Sequence, residues 1–322
     1  MALAFSLINP NDNILVVGDG NFSYSYDVAN YIKEQNGKGH IFTTSLDSIE
    51  VLKKKYTNAV TYIDKLKELN HTVVHHIDAT NLRNTLANSN FNQNSKLYDK
   101  IIFNFPLSPL TKTLDDVKNS PSPDVNIRNR YLIWQFLREA ATLLTKSAKS
   151  AVLITSKTCK PYDRWRIESL GSNCTQKIPF NISKFNHYTA RKVNVVENQK
   201  RKRRKIDFSI NDAITFVFQP HIVLSRSNSN SDCGKKNAVC PTATTSSTTT
   251  TTTASSDNVI KSNRKFFCNL CSIYTKTQFS LDEHFVGRRH KILMGTERKW
   301  KLFLTNLKAN NDKLPTYQYF SK

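Results

Sequence analysis

Five short apolar runs punctuate the first half of the chain, at residues 14–17, 40–45, 72–77, 100–105 and 151–156, separated by stretches with helical spacing or turn chemistry. Nearly continuous runs of this length read as strands buried on both faces, and their alternation with helical segments predicts a parallel sheet with crossover helices. The clearest helix covers residues 130–144, where Leu132, Phe136, Leu137, Ala140, Leu143 and Leu144 form one apolar stripe for packing. Two later runs, 190–196 and 213–218, flank the tract Lys200-Arg201-Lys202-Arg203-Arg204-Lys205. They predict an antiparallel hairpin at the sheet edge with the basic tract at its tip.

From residue 225 to 262 the composition shifts to Ser, Asn and Thr, with a threonine-rich tract at 242–253. Such a segment buries too little apolar surface to offset chain entropy, so a disordered linker is expected there. It separates a domain at residues 1–224 from a small module at residues 263–322. The formal net charge of +22 exceeds what solubility requires and points to a polyanionic partner: RNA, DNA or an acidic membrane surface. Apolar runs stay well short of the roughly 18 residues that span a bilayer, and residues 1–10 lack a signal-peptide pattern, so the expectation is a soluble intracellular protein without a membrane partner. Of the six cysteines, only Cys268 and Cys271 have ligand-like spacing.

The chemistry begins at the end of the first run, in Gly18-Asp19-Gly20-Asn21-Phe22-Ser23. Glycine has no Cβ, so Gly18 can turn tightly and Gly20 lets a ligand approach the backbone at a helix N-terminus. A nicotinamide dinucleotide fingerprint needs a third glycine where Ser23 stands, which favours S-adenosylmethionine over NAD. A glycine-containing turn without a ligand remains the alternative for this motif alone. Asp47 follows the second run, Asp78-Ala79 the third, and Asn104-Phe105-Pro106 the fourth. In an open α/β sheet the ligand lies outside the carboxyl ends of the strands, so these residues should converge on one crevice. Asp47 is placed to accept from ribose hydroxyls, and Asp78 with Ala79 to meet an adenine ring. Each aspartate alone also fits a loop or helix cap, and Asp19 fits either a ligand contact or a cap of the first helix.

Near the C-terminus, Cys268-x2-Cys271, twelve residues, then His284-x5-His290 supplies two thiolates and two imidazoles at the spacing of a tetrahedral zinc site. A module of about 30 residues cannot fold on its own core, so Zn2+ would provide most of its folding free energy, with Phe267, Phe279 and Leu281 as its apolar cluster. Arg288, Arg289, Lys291, Arg298, Lys299 and Lys301 offer a basic surface for phosphates. The long His-x5-His spacing resembles matrin-type zinc fingers, which implies association with RNA.

Taken together, Gly18 to Ser25, Asp47-Ser48, Asp78-Ala79-Thr80, Phe103-Asn104-Phe105-Pro106, and Ser156-Lys157 followed by Pro161-Tyr162-Asp163-x-Trp165 resemble the ribosomal-RNA uridine-N3 methyltransferase-like family over about residues 11 to 220. The resemblance implies a Rossmann-like methyltransferase fold, S-adenosylmethionine as methyl donor and a uridine of large-subunit ribosomal RNA as substrate, with action in the nucleus, at the nucleolus. On this reading Gly18, Asp19, Gly20, Asn21, Phe22, Ser23, Asp47, Asp78, Ala79 and Asn104 hold the cofactor, and Asn104, Phe105, Pro106 and Lys157 serve the reaction. Asn104 would hydrogen-bond the base edge, Phe105 would stack on it or wall the pocket, and Lys157 would stabilise charge on a carbonyl or stand solvated at a strand end. Tyr162, Asp163 and Trp165 fit either an RNA-facing rim or a packed turn. Family members continue Asn-Phe-Pro with a His and a Gly-containing loop, whereas this chain has Leu107-Ser108-Pro109-Leu110, which alters the target-base pocket and keeps a non-catalytic RNA-binding scaffold as the alternative.

Overall fold

The computed structural model describes residues 5–89, 97–108, 122, 124–171, 174–190, 210, 212–220 and 266–309. Met1–Ile222 with Lys299–Lys322 make one compact unit, and Val223–Arg298 make a second.

The first unit is built on a seven-stranded sheet in the order β3-β2-β1-β4-β5-β7-β6. Strands β1 (Asn13–Val16), β2 (His40–Thr44), β3 (Thr72–Val74), β4 (Lys100–Asn104) and β5 (Ala151–Lys157) are mutually parallel. Successive strand residues point to opposite faces, and here both faces are covered. Leu15, Ile101, Phe103 and Ile154 meet Leu82 and Leu86 of α4 (Leu82–Ala87) and Ile133 and Phe136 of α5 (Val125–Leu143). On the other face Ile14, Val16, Ile41, Ile102 and Leu153 meet Val28, Ala29 and Ile32 of α1 (Ser23–Glu34) and Ile63 and Leu66 of α3 (Ala59–Glu68). A short α2 (Ile49–Lys55) follows β2, and Ser48 caps it by accepting from the amide of Val51.

The mostly parallel sheet with an antiparallel pair at one edge is as expected, but the pair is made differently. The partner of β7 (Ala213–Phe218) is β6 (Cys174–Pro179), and β7 also runs antiparallel to β5. Ala190 is not in a strand; residues 191–196 and the basic tract at 200–205 lie outside the described residues, as does the segment 225–262. The 174–179 run, Cys-Thr-Gln-Lys-Ile-Pro, escapes a pattern reading because this edge strand buries none of its residues and so shows no apolar alternation. Helix α5 starts five residues before the expected position, where the Asp124 side chain accepts from the Asn126 amide as an N-cap.

In the second unit, β8 (Phe267–Cys268) and β9 (Ile273–Tyr274) form a hairpin followed by α6 (Gln278–Val286), capped by Thr277, and by α7 (Arg288–Ala309). Its apolar cluster is Cys268, Cys271, Leu281 and Leu293, with Phe266, Leu270 and Ile273 against it. Leu281 is where expected, whereas Phe279 is 71% exposed and Phe267 packs on Tyr274 instead. Phe279 lies two residues before Leu281 on the helix, about 200° around it, so the two cannot share a face.

From Lys299 onward α7 belongs to the first unit. Trp300, 5% exposed, joins the core on the α5 side, stacked on Phe303 and edge-on to Trp134, with the Arg130 guanidinium 4.9 Å from its ring centroid. The module expected at 263–322 therefore contributes its last described turns to the core of the first unit. Lys299, expected on a phosphate-binding surface, sits 2.9 Å from Asp124 Oδ2.

Candidate functional site

At the carboxyl ends of the parallel strands, where β1 and β4 diverge to opposite halves of the sheet, lies a cavity of 320 Å³. A doubly wound sheet binds its ligand at such a switch point, because the loops leaving the two central strands turn away from each other.

The β1–α1 turn forms its floor. Gly18 has φ +67°, and a Cβ there would stand 2.8 Å from Phe103 Cε2, so two constraints require glycine. The Asp19 amide donates to Thr44 O at 3.0 Å, which ties the turn to β2. Its carboxylate, 8% exposed, accepts from the Ser25 amide at 2.9 Å and from Ser25 Oγ at 2.6 Å. Asp19 thus caps the first turn of α1 while also lining the cavity. Burial raises its pKa to about 6, against the lowering effect of the Ser25 bonds.

Asp47 lines the cavity after β2, with Oδ2 held 2.6 Å from Lys55 Nζ; its other oxygen keeps its acceptor capacity. Asp78 lines it after β3, where Oδ1 accepts from Thr80 N and Thr80 Oγ1, both at 2.8 Å, and burial raises its pKa. Ala79 and Thr80 stand beside it. Asn104 ends β4 with both polar atoms of its amide buried, beside the Tyr24 hydroxyl. It lines the cavity, where its amide can both donate to and accept from a bound group. Phe105, at φ +50°, bends the chain and packs edge-on against Phe180, which favours the wall reading. The following loop is anchored by Asn129 of α5: its Oδ1 accepts from the Ser108 amide at 2.8 Å, and its Nδ2 donates to Val125 O.

The cavity thus brings together Gly18, Asp19, Gly20, Asn21, Asp47, Asp78, Ala79, Asn104 and Phe105; the lining does not include Phe22, Ser23, Pro106 or Lys157. Phe22 is wholly buried, at φ +63° at the start of α1. The Lys157 ammonium lies 5.5 Å from the Tyr162 ring centroid. Trp165 is 2% exposed and packs edge-on against Tyr162, so this segment is a packed turn. Sequence reasoning missed Tyr24, Lys55, Ser108, Leu132 and the run Tyr188-Thr189-Ala190 among the lining residues. Neither Tyr24 nor Lys55 nor the run 188–190 carried a spacing signal, since the cavity reaches them only through the fold.

In the second unit, the ligand atoms of Cys268, Cys271, His284 and His290 all lie within 4.8 Å of one another. His290 Nδ1 is 3.5 Å from Cys268 Sγ and 3.6 Å from Cys271 Sγ. Bond lengths near 2.3 Å to sulfur and 2.0 Å to nitrogen at a tetrahedral angle place such atoms about 3.5 Å apart, so the geometry fits zinc. His284 Nε2 is buried without a partner, which the same ion would satisfy.

Residues 15–192 match the family described as rRNA (uridine-N3-)-methyltransferase BTM5-like, and residues 266–290 match the C2H2-type zinc finger. Two Arabidopsis thaliana proteins are similar: heavy metal-associated isoprenylated plant protein 41, 29% identical over 65% of this chain, and the uncharacterized protein At4g26485, 28% identical over 64% of this chain. The chain spans 37% of the length of the first and 91% of the second. A SAM-dependent methyltransferase from Aquifex aeolicus aligns over 66% of this chain and 84% of its own, at 13% identity and a TM-score of 0.32. The rRNA methyltransferase aviRa from Streptomyces viridochromogenes aligns over 67% of this chain and 80% of its own, at 11% identity and 0.29.

Proposed function

The chain belongs to the BMT5-like family of rRNA methyltransferases, and from that premise we propose that it transfers a methyl group from S-adenosylmethionine to N3 of a uridine in large-subunit ribosomal RNA, acting in the nucleolus. The observation that carries the reading is the convergence of Asp19, Asp47, Asp78 and the buried Asn104 amide on one cavity at the switch point of the sheet.

Bound there, S-adenosylmethionine would supply an electrophilic methyl group. Asp47 accepts from ribose hydroxyls and Asp78 from the adenine amine, while glycine at 18 and 20 lets the backbone approach the donor closely. Uridine N3 is a weakly acidic imide that gives up its proton to solvent before the N3–methyl bond forms and the donor's sulfur–methyl bond breaks, and losing that proton places negative charge on the flanking carbonyl oxygens. Asn104 Nδ2–H donates to one of these, which stabilises the nucleophilic form and orients the base for in-line attack. The zinc-finger module, through Arg288, Arg289 and Lys291, holds the RNA by its phosphates.

The test is to incubate the full chain with methyl-labelled S-adenosylmethionine and deproteinised large-subunit ribosomal RNA, then digest the RNA to nucleosides and identify the labelled one by mass spectrometry. N3-methyluridine is expected, with Asp47→Ala abolishing cofactor binding and Asn104→Ala abolishing turnover. Cofactor affinity unchanged in Asp47→Ala, or label on another atom, would reject the assignment.

A further inference from the structure

The cavity is lined from both halves of the sheet. Asp47, Lys55, Asp78 and Ala79 come from the β1-β2-β3 half, the mononucleotide-binding half of a doubly wound sheet. Tyr188, Thr189 and Ala190 come from the segment after β6, and Phe105 from the end of β4. Of these, Phe105, the Tyr188 ring and Ala190 make an aromatic and apolar wall, suited to a flat uncharged base, where the first half offers the carboxylates that a ribose and an amine require.

The segment carrying Tyr188 has no strand or helix to hold it at residues 185–190. It is held by the turn and helix that follow β1. Asp27 of α1, 5% exposed and outside the cavity lining, accepts from the amides of His187 and Tyr188 at 2.9 and 2.8 Å, and from His187 Nδ1 at 2.6 Å. Ser23 Oγ accepts from the Thr189 amide, and Asn21 Nδ2 donates to Thr189 Oγ1, both at 3.2 Å. A buried carboxylate must be satisfied by donors, and Asp27 takes these from a segment 160 residues away in the chain. On the inner side Ala190 packs with Ile210 and Ala213, and Tyr188 and Phe105 close on the same cluster. Asn21 and Ser23, expected to bind the cofactor, thus use their side chains on this segment.

We propose that Asp27 is a positioning residue that clamps residues 187–190 so that Tyr188 and Ala190, with Phe105, form the wall against which the accepting base is held. This rests on the methyl-transfer reading above. The clamp acts on the acceptor side and leaves the donor end to Asp47 and Asp78.

The experiment compares the full-length parent with Asp27→Asn, His187→Ala and Tyr188→Ala, each confirmed as folded by circular dichroism. S-adenosylmethionine affinity is measured by calorimetry, methylation kinetics with ribosomal RNA, and amide hydrogen exchange of residues 187–190 by mass spectrometry. Asp27→Asn should lower kcat/KM for RNA by about tenfold or more and speed exchange in that segment, while cofactor affinity stays within about threefold. Tyr188→Ala should show the same kinetic loss with exchange at His187 unchanged, because it removes the wall and leaves the clamp. His187→Ala, which keeps both backbone donors, should fall between parent and Asp27→Asn. The proposal is overturned if Asp27→Asn matches the parent in exchange and turnover, or if cofactor affinity falls in step with activity. A parent that binds S-adenosylmethionine but methylates no RNA would reject the methyl-transfer reading and the acceptor role together, while hydrogen exchange would still decide whether Asp27 is the clamp.

Discussion

Replacing Trp300 by alanine should destabilise the first unit, although the residue lies ten positions beyond His290, the last of the four residues suited to zinc. Its indole is 5% exposed, with Trp134 at 6.2 Å and Phe303 at 5.5 Å between ring centroids and Arg130 at 4.9 Å over the ring. Arg130 is itself 1% exposed, so the substitution leaves both a cavity and a buried cation without its aromatic face. Truncating a buried tryptophan costs about 3–5 kcal/mol, which in a domain of this size lowers Tm by roughly 6 °C or more. The assay is urea unfolding followed by far-ultraviolet circular dichroism, in parallel with Leu302→Ala, a substitution two residues on at a side chain 62% exposed. Leu302→Ala should stay within about 0.5 kcal/mol of the parent. If Trp300→Ala cost no more than Leu302→Ala, the end of α7 would not be part of the first unit's core, and truncation at residue 298 would be harmless.

Three further outcomes follow from the geometry. Gly18→Ala should abolish S-adenosylmethionine binding in calorimetry and cost about 1–2 kcal/mol or more, since alanine at φ +67° is strained and its Cβ would meet Phe103. Asp19 has its pKa raised to about 6 from 3.8, so the folded state holds a proton that the unfolded state releases between these values, and this contribution to stability is lost as pH rises from about 4 through 6. The stability of Asp19→Asn relative to the parent should therefore rise by up to about 3 kcal/mol over that interval in urea titrations, and a pH-independent difference would contradict the burial argument. Removing zinc with a chelator should unfold the second unit, with loss of amide protection at Gln278–Val286, while protection of β1 and β4 persists; protection retained at α6 without metal would show that its apolar cluster suffices.

Much of the site was legible because its signals are local. Strand runs, the glycine at 18, the acidic residues just after β2 and β3, and the Cys-x2-Cys and His-x5-His spacings each report a constraint met within a few residues, by backbone sterics, strand termination or metal geometry. Resemblance to a known family joined these fragments into one reading. What the sequence determined unaided was therefore the parallel α/β core, the edge of that core on which the cavity opens, and the four cysteines and histidines that come together in the second unit. Only the tertiary structure decided that β7 pairs with 174–179, that Trp300 completes a core begun at Leu15, and that Asp27 holds His187 and Tyr188. Those contacts join residues 160 or more positions apart, or depend on which face a neighbour leaves open. Neither periodicity nor spacing encodes them, because a carboxylate in an amphipathic helix and a histidine in an irregular segment look like ordinary surface residues until the sheet brings them together.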